Sequence, residues 1–185
     1  MVTPILMKRY ILTGAPGCGK TAIIRSLEIA GYPVVEEAAT DIIAIRHAQG
    51  LTEEWRHPSF VDDIVSLQKQ RQTRPVDSSS GVQFFDRSPL CTYALSRWLG
   101  FPISTVLAGE VERIQTAAIY EKQVFFIENL GFCEPTAARK ISFEESLRFE
   151  KVHEETYREF GYEFVRIAAQ ELSRRVDQVT SYVRA

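Results

Sequence analysis

Cysteine is scarce. Cys18, Cys91 and Cys133 are the only three in 185 residues, and their spacing forms neither a zinc pattern nor a disulfide framework. Free thiols in a reducing compartment are the expectation. Histidine is as sparse, and His47, His57 and His153 stand too far apart to suggest a set of metal ligands. Surface or helix-end positions are expected for all three. No apolar run approaches a membrane span and the N-terminus lacks a signal-peptide layout, so a cytoplasmic protein is expected. A strong charge of either sign is also missing. The formal net charge of −2 gives no reason to expect a polyanionic partner, and nucleic acid is not anticipated.

What is present fits one globular domain over residues 1–185. Its organising stretch is Gly14-Ala15-Pro16-Gly17-Cys18-Gly19-Lys20-Thr21, the Walker A pattern of Gly, four residues, then Gly-Lys-Ser/Thr. Residues 8–13 before it read as a short buried strand. After it, Ile23, Ile24, Leu27 and Ala30 fall at helical spacing, with Gly31 as the stop. Glycines let successive backbone N–H groups turn inward around phosphates, and the following helix adds the positive end of its dipole. Lys20 is placed to reach β- and γ-phosphate oxygens, and the Thr21 hydroxyl to ligate Mg²⁺. A nucleoside triphosphate site is expected.

Four more strands are expected at residues 32–35, 82–86, 123–127 and 162–167. Helices between them run from Ala38 to about Gln49, from Pro58 through Phe60, Ile64 and Leu67, and from Pro89 (capped by Ser88) towards Gly100. Further helices start near Pro102, burying Leu107, Val111, Ile114 and Ala118, and at the Ser142–Glu145 capping box, ending at Phe160. The last buries Leu172, Val176, Val179 and Val183. Lys69, Arg71 and Arg74 read as helix-end cations favoured by the dipole. Residues 130–141 read as loop, and a lid-like segment is expected at about 130–148. Strands alternating with helices predict an α/β three-layer fold, a five-stranded parallel sheet with helices on both faces.

Ligands gather beyond the carboxyl ends of such strands. That rule brings the phosphate loop together with Glu36-Glu37, Asp86-Arg87-Ser88 and Glu128-Asn129. Asp86 is then the second Mg²⁺ ligand, opposite Thr21. Arg87 points donors at phosphate or acceptor, and Glu37, or its neighbour Glu36, takes the proton of an attacking hydroxyl. Arg139 and Lys140 sit where a loop can close over the triphosphate, with Arg148 a weaker candidate. Ala168-Ala169-Gln170 after the fifth strand is expected near the base.

Three stretches carry a resemblance: the phosphate loop, Gly31-Tyr32-Pro33-Val34-Val35-Glu36-Glu37-Ala38-Ala39, and Phe85-Asp86-Arg87-Ser88-Pro89-Leu90. The layout resembles the P-loop kinase branch, and within it small AAA-type ATPases or kinases related to nicotinamide riboside kinases. Asp-Arg-Ser also resembles the Asp/Glu-Arg-Ser motif of deoxynucleoside kinases. There the acid serves the metal and the arginine helps place the acceptor end of the reaction. In the family a Pro-Glu-Ala-Ala-Arg run follows the second strand; Glu36-Glu37-Ala38-Ala39-Thr40 matches it at Glu37 but lacks the Pro and Arg.

The resemblance implies transfer of the γ-phosphate of ATP, with Mg²⁺, to a hydroxyl of a small metabolite, nucleoside-like acceptors included. The alternative is a regulatory ATPase acting through a partner protein. A Ras-like GTPase is excluded by a second scarcity: Asn129 is the one asparagine, and Leu130 follows it where a guanine motif needs Lys. Trp55, Phe60, Tyr93 and Trp98 are candidates to line an acceptor pocket.

Overall fold

The structure is a computed structural model and describes residues 7–51, 53–76, 80–131 and 142–184. In chain order the elements are β1 (Lys8–Thr13), α1 (Lys20–Ile29), β2 (Val34–Val35), α2 (Ala38–Ala48) and α3 (Ser59–Gln72). Then come β3 (Val82–Asp86), α4 (Pro89–Trp98), α5 (Thr105–Thr116), β4 (Gln123–Ile127), α6 (Phe143–Glu159), β5 (Glu163–Ile167) and α7 (Leu172–Arg184). A 3-10 turn at Glu54–Arg56 interrupts the polar stretch before α3.

All strand pairings are parallel, in the order β2-β3-β1-β4-β5. The central strands are buried on both faces, so they read as largely apolar runs, broken in β3 by the buried Gln83, rather than as alternating ones. Their period of two still divides the core. Ile11, Phe85 and Val124 face α3 to α6, where they meet Val65, Leu90, Leu107, Ile114 and Tyr157. Leu12, Phe84 and Phe125 face α1 and α7, against Ile23, Leu27 and Val179. Helix α2 packs on α3 through Ala38, Phe60 and Ile64.

The α/β fold with five parallel strands and helices on both faces is the one expected. Its edges differ in places. β2 forms only two ladder residues, Val34 and Val35. α5 starts at Thr105, because the Ser104 hydroxyl caps it by accepting from the Leu107 N–H at 3.1 Å. Ala118 lies beyond that helix, exposed, with φ 45°. On α7, Val179 is buried with Val176 and Val183 packed beside it as expected, but Leu172 is 42% exposed and Arg175, at 3%, is buried. Among the described residues, no helix is long and apolar enough to cross a membrane.

Register sets the site. Leu12 pairs with Asp86 and Thr13 with Phe126, so the loop leaving β1 emerges between the tips of β3 and β4.

Candidate active site

The phosphate loop bends through Gly14, Gly17 and Gly19 at φ 134°, 87° and 85°, conformations that favour glycine. A Cβ on Gly14 would also collide with the Ile127 carbonyl. Gly14→Ala is therefore expected to lower the melting temperature by roughly 2–12 °C, from about 1–3 kcal/mol of backbone strain. A thermal melt indistinguishable from wild type would show that the loop relaxes freely.

Lys20 is buried and folds back over the loop, donating to the carbonyls of Gly14 (3.1 Å) and Ala15 (2.9 Å) and lying 3.4 Å from Cys18 Sγ. From α7, Arg175 Nη2 donates to the Cys18 carbonyl at 2.7 Å, clamping the loop from outside, while its buried Nε has no partner among the described residues. From α6, one Glu150 oxygen takes the Ala15 N–H and the other is buried with no partner among the described residues. Burial, aided by Glu154, outweighs the Ala15 bond and pushes Glu150 upward. Neither residue was foreseen. The one available signal for Arg175 was its place inside the apolar stripe of α7.

Beside the loop stand Glu37, Asp86 and Arg87. Arg87 adopts φ 73°, its N–H bonds to the Leu12 carbonyl at 3.0 Å, and its Nε meets Glu37 Oε1 at 2.5 Å. Burial acts to raise the Glu37 pKa, but Arg87, Lys20 and the hydroxyl of Thr40 (2.7 Å) outweigh it and hold the carboxyl below its ordinary range. Asp86 goes the other way, to about 6, through burial and the charge of Glu37, with Lys20 and Arg87 opposing. Arg87 is raised against the effect of burial, chiefly by Glu37. Two neighbouring carboxylates are thus driven apart in proton affinity by their surroundings.

Glu36 and Glu37, left open by sequence, part company here. Glu36 pairs with Arg25 on α1, and Glu37 faces the site. Arg71 fixes that turn by donating to the Glu36 and Glu37 carbonyls at 3.0 and 2.9 Å and pairing with Asp41. It is thus a clamp as well as the last-turn cation of α3 that the sequence predicts.

One cavity of about 710 Å³ joins these groups. Pro16, Gly17, Gly19, Lys20 and Thr21 form one wall, with Glu37, Asp86 and Arg87 beside them. Beyond these the cavity continues between Trp55, Phe60, Trp98 and Phe149. Gln68 also lines it, its Oε1 accepting from the Thr92 hydroxyl at 2.8 Å. Tyr93 instead packs on Phe160 and under Arg97. Arg148 lies on the surface, 3.6 Å from Glu144. Ala168 and Ala169 are exposed after β5, off the cavity wall. Arg139, Lys140 and Cys133 lie outside the described residues, as does most of the expected lid, whose end from Phe143 is the start of α6. His47 and His57 occupy a helix end and the surface, but His153, expected there too, is fully buried on the cavity wall.

A model of the AAA-domain family matches residues 9–175, from β1 to the Arg175 clamp. The chain belongs to this family. No curated protein matches the sequence. Among solved structures, this AAA-domain protein is similar to NadR in complex with NAD and AMP-PNP, at 17% identity and TM-score 0.70 over 97% of this chain and 50% of NadR. It thus spans about half the length of NadR. It is also similar to deoxyadenosine kinase from M. mycoides with products dCMP and dCDP, at 12% identity and TM-score 0.61, covering 95% of this chain and 98% of that one. The AAA-domain chain shares the fold of both proteins.

Proposed function

We propose that this protein transfers the γ-phosphate of ATP to a hydroxyl of a small, partly flat metabolite held in the aromatic end of the cavity. The observation that carries the reading is the continuity of that cavity. A phosphate loop, an ionised carboxylate and an arginine meet at one end, and space walled by Trp55, Phe60, Trp98 and Phe149 extends from them. A protein that only hydrolyses ATP needs room for a water there, not for an aromatic chamber.

In this reading Lys20 moves from the loop carbonyls to the β- and γ-phosphates. Glu37, kept ionised by Arg87, accepts the hydroxyl proton, and Arg87 takes charge developing on the transferred group. The Gln68 amide, oriented by Thr92, offers its N–H₂ to the acceptor. The residues present also fit Mg²⁺. Asp86 Oδ1 is buried with no hydrogen-bond partner among the described residues, and Thr21 lines the same cavity. Asp86 and Thr21 would hold the ion together with phosphate oxygens and water, the usual arrangement for Mg²⁺. When bound, Mg²⁺ neutralises charge on the β- and γ-phosphates.

The test is incubation of the purified protein with ATP, Mg²⁺ and a fractionated metabolite pool. Acceptor-dependent ADP release with a new phosphorylated species is expected. ADP release indifferent to every fraction but raised by a protein partner would replace the kinase with a regulatory ATPase.

A further inference from the structure

Helix α6 sets Glu145, Phe149 and His153 on the cavity wall at four-residue spacing, and Tyr157 continues the stripe with its hydroxyl 2.7 Å from Ser88 Oγ. His153 lies between two groups of fixed polarity. Its Nδ1 is 3.0 Å from the Phe149 carbonyl, which can only accept, so Nδ1 carries the hydrogen. Its Nε2 is 3.3 Å from Arg87 Nη1, which can only donate, so Nε2 is bare. One tautomer satisfies both contacts. Of the five guanidinium N–H groups, the Nε one is committed to Glu37 and one Nη1 donor to His153. No other acceptor among the described residues takes the rest.

We infer that His153 is the positioning residue of Arg87: as a neutral acceptor it fixes the guanidinium plane so that the remaining donors serve the transferred phosphate. This inference rests on the phosphotransferase reading. An imidazole suits the task better than a third carboxylate. It takes up one N–H without placing another negative charge beside an incoming polyanion. The titratable and charged groups facing the ring are Arg87, Lys20 and Glu37. Burial first, then Arg87 and Lys20, lower the His153 pKa to about 3, against the Phe149 carbonyl and Glu37. The acceptor form therefore persists across neutral pH.

Three substitutions in the full-length chain separate positioning from packing. Gln carries an amide oxygen near the Nε2 position, Asn reaches only as far as Nδ1, and Phe keeps the ring and its edge contact with Phe149 (centroids 4.3 Å apart). If His153 positions Arg87, His153→Gln keeps Mg-ATP turnover within about fivefold of wild type, because its amide oxygen still accepts from the guanidinium, with geometry costing about 1 kcal/mol. His153→Asn and His153→Phe fall by about 10²-fold, as expected for a misplaced catalytic group. AMP-PNP affinity, measured by calorimetry, stays near wild type in all three. The opposite order, Phe active and Gln inactive, would reduce His153 to core packing. A readout independent of turnover is the ¹⁵N ring spectrum of the wild-type protein. It should show a protonated Nδ1 and a bare Nε2 that do not titrate between about pH 5 and 8, with the Nε2 signal moving in Arg87→Met. An imidazolium or an Nε2–H tautomer would overturn the pairing. The expected spectrum from a protein without ATP turnover would sink the phosphotransferase reading and leave the pairing standing.

Discussion

Replacing Lys20 with alanine is expected to cut ATP turnover by at least on the order of 10²–10³-fold, the usual cost of removing one preorganised charge-stabilising donor. The fold should survive. The ammonium is held by the buried loop carbonyls of Gly14 and Ala15, and because Lys20 itself lines the cavity, water can take its place once the side chain is gone. Their loss as partners is worth about 1 kcal/mol, or roughly 2–4 °C in melting temperature. Turnover and thermal melts of the same preparation check both halves. The asymmetry has a physical origin. Without nucleotide, Lys20 is satisfied by neutral carbonyls, whereas triphosphate offers it anionic oxygens, so its binding energy is realised only when phosphate is present. A well-folded Lys20→Ala protein that turned over ATP at the wild-type rate would move the phosphate site elsewhere.

Much of this site was legible because its parts sit at strand ends. β3 and β4 are apolar runs that stop at a carboxylate, and parallel connectivity brings those stops to one edge. The Ser142–Glu145 box was equally plain, since capping is a local contact: Ser142 N–H to Glu145 Oε2 is 2.8 Å. What escaped were side chains whose role is set by a distant partner. His153 stands on α6 among Glu and Lys residues, and its burial follows from the packing of α6 on α4 and from its contact with Arg87, which helical periodicity of apolar residues does not reveal. Arg175 interrupts an apolar stripe because its target, the Cys18 carbonyl, is 157 residues away. Glu36 and Glu37 are indistinguishable as neighbours, and Arg25 and Arg87 decide between them.

Asp86→Asn should stabilise the nucleotide-free protein while removing Mg-dependent turnover. The Asp86 carboxyl titrates at about 6 in the fold, against an ordinary 3.8. With the folded pKa raised, the protonated form is favoured, so wild-type stability falls as pH rises from about 3.8 through about 6 and is flat above. That gap corresponds to about 3 kcal/mol at neutral pH. An amide carries no such penalty. The variant should therefore melt roughly 6–12 °C above wild type at about pH 8, the advantage vanishing near pH 4. Taking the difference between the two proteins cancels the groups that do not interact with Asp86. Turnover should nevertheless drop by on the order of 10²-fold or more, because a neutral amide is a weak ligand for a hard cation. Gain of stability with loss of function would mark Asp86 as a charge kept in place for a ligand, at the expense of the empty fold. A variant less stable than wild type at pH 8, or one with full activity, would mean that the buried carboxylate serves the fold itself.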